Sequence, residues 1–475
     1  MSNEDTRNEK ADSKEATDAV DETGDVWASS NLDDVIPTLL RSIRGQNLTV
    51  FCGAGLSMGD PSNVPSADSL VERLEEEHRH DTGCSLTCTI SDDIEGIADW
   101  ALQNSTFRNF FLSTIRDPSF FNPPNPGHSA VADFLLTKAI QSALSTNVDY
   151  LIEKAVEKLG RYDFEAVVKE YDVNRVRGYS DLLKLHGCFR IDKENTVWCP
   201  RQLEMEPICD RIEAFRDWMI GNLRGNDLVL VGYWTDWPYL NETFADCIQD
   251  LRPPTVVLVN PDKPENLRDK AEGLWNWAIE SDTDFHHVPV GGNEFLERLR
   301  FEFSKRIFRI LVARVCGNDL VEAYYGESVQ DEHLPPFEEM DMDALYNLRR
   351  DFAGVAPDEP ATDREPDGPG YDKIGAMHQL LLANGASMDG RFYKVGDSVV
   401  RLVNGKGEPF GHAVTRLMGE LQGRGYDANV CVSSPRGGMA KLNNVVRDHN
   451  EKDEVVRLQN TQEWWTEDRL RGKIN

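Results

Sequence analysis

Between residues 31 and 326, short apolar runs alternate with stretches in which apolar residues recur at helical spacing. Runs of four or five apolar residues are typical of strands that are buried on both faces of a parallel sheet. Their alternation with helices predicts an α/β fold, in which helices cover both faces of a doubly wound parallel sheet. The predicted strands are Leu48–Cys52, Ala143–Thr146, Leu182–Leu185, Leu228–Gly232 and Val256–Asn260.

The chain divides by composition into four predicted parts. Residues 1–30 are acidic and have almost nothing to bury, which is typical of a disordered tail. The α/β pattern fills residues 31–326, and the acidic, proline-rich residues 327–370 predict a linker with one helix near Met342–Phe352. Residues 371–475 predict a small separate α/β domain. Its predicted helices lie near 373–384, 412–423 and 438–448, and its predicted strands near 396–403, 428–433 and 454–458.

The charge and the apolar content exclude several classes of protein. A net charge of −31 at pH 7 repels phosphate, and the acidic excess lies before residue 371, so we do not expect the N-terminal part to bind nucleic acid. No run approaches the roughly 20 apolar residues of a membrane span. The N-terminus also has no apolar core of the kind found in secretory signals. We therefore expect a cytoplasmic protein without membrane contact.

The nine cysteines fit a reducing compartment, because they are odd in number and no two form a C-x-x-C pair. A zinc site that uses Cys84, Cys88, Cys188 and Cys199 is an alternative, but their spacing is a poor zinc signature. Free thiols are the simpler interpretation, and we expect no zinc.

The first predicted strand leads directly into glycines, since Cys52 is followed by Gly53-Ala54-Gly55-Leu56-Ser57. Glycines at the end of a parallel strand allow a tight turn and a close approach of the backbone to a pyrophosphate. The N–H groups at the start of the next helix would then face that anion, and Ser57 would add a hydroxyl donor. Glycine pairs also end many core strands, so these residues alone leave both interpretations open.

Further segments follow this loop in an order that resembles the sirtuin family. Asn63-Val64-Pro65-Ser66 resembles the family's Gly-Ile-Pro segment, Thr146–Asp149 its Gln-Asn-Ile-Asp strand end, and Leu185-His186-Gly187 its His-Gly pair. Val229–Gly232 and Val256–Asn260 resemble the later strands, which end in a ribose-binding Gly and Asn. The resemblance covers most of the chain before the linker and implies a Rossmann-like domain that binds NAD.

The resemblance also implies a role for each matching residue. Asn147 would be catalytic beside the nicotinamide ribose, and His186 would be the base toward a ribose hydroxyl or water. Taken alone, His186 also fits a hydrogen-bonded histidine at a strand end, and Asp149 also fits a helix N-cap. The residues that would bind NAD are Gly53, Ala54, Gly55 and Ser57 at the phosphates, Asp149 at the carboxamide, and Gly232 and Asn260 at the adenosine half.

Two departures separate the chain from the protein deacylases of this family. The two C-x-x-C pairs of their zinc ribbon are missing after His186, where Cys188 leads only to Cys199. The Phe-Arg that follows their Gly-Ile-Pro-Asp is also missing, because the run here is Val64-Pro65-Ser66-Ala67-Asp68. This form, together with Gly232-Tyr233-Trp234-Thr235-Asp236, resembles a divergent prokaryotic branch whose members hydrolyse NAD. The sequence alone does not assign a role to Asp236.

Hydrolysis of NAD suits such a site chemically. Nicotinamide is a cationic leaving group, so its glycosidic bond can break with oxocarbenium character at the ribose. The reaction needs a dry pocket, an oriented acceptor and a base, and a histidine beside a polar amide supplies the last two. We therefore expect an NAD+ glycohydrolase that releases nicotinamide and ADP-ribose. An NAD-dependent protein deacylase or ADP-ribosyltransferase, and a non-catalytic subunit that senses NAD or ADP-ribose, are the alternatives.

Several members of that branch belong to anti-phage systems, so the resemblance implies the effector of an abortive-infection defence. Uncontrolled hydrolysis of NAD would kill the cell, and the activity must therefore be gated. The expected gates are assembly into a homo-oligomer, a translocase-type ATPase partner, a phage-derived activator or an appended sensor. Residues 371–475 are the candidate sensor, assembly or partner-binding domain.

Overall fold

The structure of the protein, a computed structural model, describes most of the chain between Ser29 and Ile474. Within that part, no helix is long and apolar enough to cross a membrane. The predicted disordered tail lies outside it, except for residues 29 and 30. The described residues are 29–86, 90–159, 164–173, 180–248, 254–280, 283–317, 319–353, 369–404, 429–433, 464–465 and 467–474.

The central sheet has six strands, all parallel. They are β1 (Leu48–Cys52), β2 (Ser142–Ser145), β3 (Asp181–Lys184), β4 (Asp227–Val231), β5 (Thr255–Val259) and β6 (Asp284–Val288). Their order across the sheet is β3-β2-β1-β4-β5-β6, so the chain winds outward from β1 in both directions. This is the order of a doubly wound Rossmann-like sheet, and the predicted fold class is confirmed.

The sixth strand, β6, is missing from the sequence prediction. It contains an aspartate and two histidines, because it lies at the edge of the sheet, pairs only with β5 and is not buried along its whole length. The five predicted strands all lie within one residue of their predicted bounds, since each is apolar enough to be covered on both faces.

Helices cover both faces of this sheet. Val50 and Cys52 belong to one core with α1, α5 and α12, whereas Phe51 belongs to the opposite core with α8 to α11. The alternation along β1 explains why four of its five residues are apolar and all five are buried. The helices are α1 (Leu32–Arg44), α2 (Ala67–Thr82), α3 (Ile94–Gln103), α4 (Leu112–Thr114), α5 (Pro126–Leu136), α6 (Leu151–Lys158), α7 (Glu170–Val173), α8 (Ile208–Leu223), α9 (Pro238–Ile248), α10 (Pro264–Lys270), α11 (Glu272–Glu280), α12 (Gly292–Gly317), α13 (Leu320–Tyr325), α14 (Met342–Ala353), α15 (Pro369–Ala383) and α16 (Glu467–Ile474).

The C-terminal part contains a second sheet. Its strands are β7 (Ser387–Asp389), β8 (Phe392–Val395), β9 (Ser398–Asn404), β10 (Asn429–Ser433) and β11 (Trp464–Trp465). Strands β7 to β9 are antiparallel, and β9, β10 and β11 pair in parallel. Helix α15 and strands β9 and β10 confirm three predicted elements. The elements predicted near 412–423, 438–448 and 454–458 lie outside the described residues.

One long helix, α12, belongs to two hydrophobic cores. Its first half contributes Phe303 to the core against the central sheet, and its second half contributes Phe308 and Leu311 to the core of the C-terminal part. Helix α14 packs into the C-terminal core through Leu348. The segment 327–370, predicted as a linker with one helix, therefore holds that helix in a buried position.

A buried ion pair connects α14 to α5. The guanidinium of Arg349 donates to both carboxylate oxygens of Asp133, and its Nε donates to Ser304 Oγ of α12 at 3.1 Å. Arg300, also on α12, brings its Nε to 3.4 Å from Asp133 Oδ2. Buried charges are tolerated only when they are paired, so the Asp133 carboxylate holds α5, α12 and α14 in one arrangement.

We expect Arg349→Met to lower the free energy of unfolding by about 3–5 kcal/mol. The substitution removes the arginine that pairs with both oxygens of Asp133 and leaves a buried carboxylate without that partner. The exposed pair between Arg201 and Asp99 provides a matched control, and Arg201→Met should cost less than about 1 kcal/mol. Urea unfolding followed by circular dichroism measures both changes. Equal losses in the two variants would contradict the structural importance of the buried pair.

Candidate functional site

The residues singled out in the sequence lie at one edge of the central sheet. All six strands are parallel, so their carboxyl ends meet at this edge. The residues just beyond β3, β2, β1, β4 and β5, in their order across the sheet, are His186, Asn147, Gly53, Gly232 and Asn260. The two winding directions diverge between β1 and β4, and doubly wound sheets bind their ligands at this switch point.

Backbone packs directly on backbone at the switch point. The Gly55 N–H donates to the Gly232 carbonyl at 2.9 Å. A Cβ at Gly53 would lie 2.5 Å from Gly232 O and from Tyr233 Cα, and a Cβ at Gly55 would lie 2.9 Å from Gly232 Cα. Gly232 itself has a φ of +62°, which side chains disfavour. The contact between the two loops therefore requires these glycines whether or not a ligand is bound.

The loop after β1 forms a short 3₁₀ turn, Ala54–Leu56, and the next α-helix begins only at Ala67. The sequence predicts that an α-helix follows this loop directly, and this prediction is wrong, because Gly59 and Pro61 interrupt the helical pattern. Ala54 and Gly55 are exposed, so their backbone faces the space beyond the sheet edge.

Ser57 is fully buried in a polar network beneath this loop. Its Oγ lies 2.8 Å from Asp149 Oδ2, 3.0 Å from His128 Nε2 and 3.1 Å from Asn147 Nδ2. Three such contacts use the one donor and both acceptor positions of a hydroxyl. A phosphate contact by Ser57, as the sequence predicts, would require one of these hydrogen bonds to be given up.

His128 is a member of this network that the sequence analysis missed. The Asn125 side chain caps α5 by accepting the His128 N–H at 3.0 Å, and His128 Nδ1 accepts the Asn125 N–H at 3.3 Å. The ring proton therefore lies on Nε2 and is donated to Ser57, whose own proton goes to Asp149. Burial lowers the pKa of His128 to about 4, so the ring is neutral. Asn125-Pro126 is a helix-start signature, but it does not show where His128 points.

Asn147 is buried, and the described residues form hydrogen bonds with its side-chain nitrogen but not with its side-chain oxygen. Its Nδ2 donates to the Gly53 carbonyl at 3.0 Å and to Ser57 Oγ at 3.1 Å. Its Oδ1 is buried and has no hydrogen-bond partner in the described part of the chain. An unpaired buried acceptor is unfavourable by about 1–3 kcal/mol, so this oxygen is suited to accept a hydrogen bond from a bound molecule.

Asp149 also stabilises the start of α6, since its Oδ1 accepts the Leu151 N–H at 3.0 Å. Beneath it, the buried Lys184 donates to the Asp149 carbonyl and lies 3.4 Å from Glu153. Burial opposes the charge of Lys184, but the negative charges of Glu153 and its neighbours outweigh burial and raise the pKa of this lysine. The charged lysine thus anchors the segment that carries Asn147.

His186 lies in an aromatic environment and is only 5% exposed. Its Nε2 lies 2.9 Å from Tyr239 Oη, and its ring meets Trp237 with the centroids 4.6 Å apart. Burial, followed by the positive charge of Arg211, lowers the pKa of His186 to about 3, so the ring is neutral. Sequence reasoning missed these three neighbours, because they reach His186 from α8, from α9 and from the loop before α9.

Asn260 and Asp236 are both used in local structure. Asn260 Oδ1 accepts the Asp262 N–H at 2.9 Å, and the Asn260 carbonyl accepts a hydrogen bond from His287 Nε2 at 2.9 Å. Asp236 accepts the Gly273 N–H at 2.8 Å and caps the start of α11. The role of Asp236 that the sequence left open is therefore structural, since it ties the loop after β4 to α11.

The cysteines proposed as an alternative zinc site are spread over different surroundings. Cys84 is exposed, whereas Cys188 is buried near the Asp149 carbonyl and Cys199 is buried near Gln202. All three are free thiols, and Cys88 lies outside the described residues. Within the described ranges, no group of three or more His, Cys, Asp or Glu side chains could hold a metal ion.

Comparison with known proteins gave no match to a protein-family model and none to a curated protein. Among solved structures, one described as the structural basis for the mechanism and regulation of Sir2 enzymes is 16% identical, with a TM-score of 0.35 over 58% of this chain and 99% of that one. A Sir2–p53 peptide–NAD+ complex is 15% identical, with a TM-score of 0.32 over 56% and 98%. A Sir2 homologue–NAD complex is 15% identical, with a TM-score of 0.31 over 56% and 94%.

We expect Gly53→Ala to displace the loop after β1, because the added Cβ would meet backbone atoms of Gly232 and Tyr233 at 2.5 Å. Overpacking of this kind costs about 1–3 kcal/mol. Gly221→Ala within α8 is the matched control, since nothing lies within 4 Å of its Cβ and alanine favours a helix by about 0.5–1 kcal/mol. Thermal unfolding compares the two variants, and a Gly53→Ala protein as stable as Gly221→Ala would exclude the close contact.

Proposed function

We propose that this chain is an NAD+ glycohydrolase, which cleaves NAD to nicotinamide and ADP-ribose. The observation that carries the proposal is Asn147, an amide whose nitrogen is held by two acceptors while its buried oxygen has no partner in the described structure. A ribose hydroxyl of NAD would supply the missing donor. The resemblance of Thr146–Asp149 to the sirtuin strand end supports the same assignment.

The order of residues along the sheet edge suggests how NAD would lie. The nicotinamide ribose would be near Asn147, and the pyrophosphate would lie against the exposed backbone of Ala54 and Gly55. The adenosine half would extend toward Gly232 and Asn260, on the far side of the switch point. The carboxamide of NAD would lie near Asp149. It would then compete with the Ser57 hydroxyl, which donates to Asp149 Oδ2.

A base with a low pKa is sufficient for this reaction. As the glycosidic bond breaks, ribose C1′ gains oxocarbenium character, and a water molecule that adds to it becomes strongly acidic. The neutral His186 is able to receive this proton although its pKa is low, and it stays unprotonated between turnovers. Trp237 and Tyr239 help to exclude other water from the histidine.

We propose further, from the resemblance to the NAD-hydrolysing branch, that the activity serves anti-phage defence and is gated through the C-terminal part. At the start of α12, Asn293 Oδ1 accepts the Gly127 N–H at 3.2 Å, and Gly127 adjoins Leu56 of the loop after β1. At its other end, α12 contributes Phe308 to the C-terminal core. Self-assembly, an ATPase partner or a phage-derived activator would act on the site along this helix.

The purified protein should release nicotinamide and ADP-ribose from NAD in the absence of any peptide. Asn147→Ala should lower kcat by roughly 10²-fold or more, because the hydrogen bond to the reacting ribose is lost. Asn222→Ala is the matched control, since its amide donates to the Trp218 carbonyl within α8. Chromatographic separation of the products measures turnover in all three proteins.

Two other results would contradict hydrolysis. Acetyl-ADP-ribose that forms only when an acetylated peptide is present would identify a deacylase. Binding of NAD without cleavage, even after addition of a lysate from phage-infected cells as a source of activator, would identify a sensing subunit. In phage-challenged cells, the hydrolase proposal requires NAD to fall with the wild-type protein and to be preserved with Asn147→Ala.

The pH dependence should also be unusual for a histidine base. Because the pKa of His186 lies at about 3, with Arg211 and Tyr239 as the titratable groups around it, kcat/KM should stay nearly constant from pH 8 to pH 5. A histidine with the ordinary pKa of about 6.5 would lose roughly 30-fold between pH 7.5 and pH 5. A pH–rate profile that turns down near pH 6.5 would exclude a depressed histidine as the base.

A further inference from the structure

The contact between His186 and Tyr239 limits how the histidine can accept a proton. Their Nε2 and Oη atoms lie 2.9 Å apart. An imidazole nitrogen is a better acceptor than a phenol oxygen, and a phenol O–H is a better donor than an imidazole N–H. Tyr239 therefore donates to Nε2, and the ring proton of the neutral His186 lies on Nδ1. The one basic nitrogen of the histidine is thus occupied by the phenol.

Tyr239 is also the more accessible of the two groups. Tyr239 is partly exposed as a residue, whereas His186 is 5% exposed and is covered on one side by Trp237. Because the phenol occupies Nε2, a molecule that approaches this nitrogen from the side of Tyr239 meets the phenol oxygen first. That oxygen has a lone pair available to accept a proton while its own hydrogen points at the histidine.

We propose that Tyr239 is a catalytic proton relay between the attacking water and His186, an inference that rests on the proposed NAD hydrolysis. The water oxygen bonds to ribose C1′ as the bond from C1′ to the nicotinamide nitrogen breaks, and that bonding pair leaves with the neutral nicotinamide. The water proton passes to Tyr239 Oη, while the phenol proton passes to His186 Nε2. The positive charge of the nicotinamide ring is thereby replaced by that of the imidazolium.

Arg211 provides the return step. Its guanidinium is buried near His186. Arg211 Nη1 lies 3.2 Å from the place that a Cβ would occupy if Gly187, the residue after His186, had a side chain. Its positive charge disfavours an imidazolium beside it, so the proton does not remain on His186. The proton leaves by the reverse path through Tyr239 to solvent, which restores both side chains for the next cycle.

Tyr239→Phe tests the relay, since it removes one oxygen and keeps the aromatic ring. We expect kcat to fall by roughly 10²-fold or more, as for loss of a general acid–base group, with KM for NAD changed by less than about twofold. The unfolding temperature should be unchanged within about 2 °C, because the loss of one hydroxyl that makes a single hydrogen bond changes the stability of a chain of this length little. Tyr171→Phe, at a tyrosine that is 56% exposed, should leave turnover unchanged.

A second measurement is independent of turnover. In protein labelled with ¹⁵N-histidine, long-range ¹H–¹⁵N correlations distinguish the two neutral ring forms, and the His186 signals are assigned by their absence in His186→Asn. We expect the Nδ1–H form in the full-length wild-type protein. In Tyr239→Phe, the ring should move toward the Nε2–H form, because the donor that occupied Nε2 is gone. A tyrosine that contacted His186 without donating to Nε2 would not produce this shift.

The outcomes separate the relay from the proposed function. Undiminished kcat in Tyr239→Phe, or an Nε2–H ring in the wild-type protein, would overturn the relay and leave NAD hydrolysis standing. A wild-type protein that cleaves no NAD under the activating conditions above would overturn the proposed function and the relay with it. Loss of kcat together with the expected change of ring form supports both.

Discussion

The contact between the loops after β1 and β4 constrains everything at this end of the sheet. Gly53 and Gly55 approach the backbone of Gly232 so closely that no side chain fits between them. The two loops therefore have a single relative position, and the Gly53 carbonyl becomes a fixed acceptor for Asn147. The same contact leaves Ala54 and Gly55 exposed at the sheet edge, while the Gly55 N–H is itself donated to the Gly232 carbonyl.

Below that loop, the buried side chains form a network of hydrogen bonds where apolar packing would be expected. The chain of hydrogen bonds from Asn125 through His128 and Ser57 to Asp149 satisfies each donor and acceptor along its path. Such a network is stable in a buried place only when its members are paired. Asn147 is joined to this network through Ser57, and its side-chain oxygen is the acceptor that lacks a partner in the described structure.

The sequence was sufficient to predict the position of a residue that follows a single strand. It was insufficient to predict side-chain contacts between segments that are distant in the chain. Asn147 and His186 follow apolar runs, so their places at the sheet edge were predictable. The partners of these residues were not, because His128 reaches Ser57 from α5 and Tyr239 reaches His186 from α9. The burial of Ser57 escaped prediction for the same reason, since a glycine-rich loop looks alike whether its serine points outward or inward.

Helix α12 has a consequence for the modular history of the chain. It is 26 residues long, or roughly 39 Å at 1.5 Å per residue, and its two halves serve different cores. A gene fusion that exchanged only the segment after the helix would take from Phe308 and Leu311 their present packing partners and would remove Arg349, the partner of Asp133. A replacement C-terminal part would therefore either include the second half of α12 or present an apolar face that covers Phe308 and Leu311.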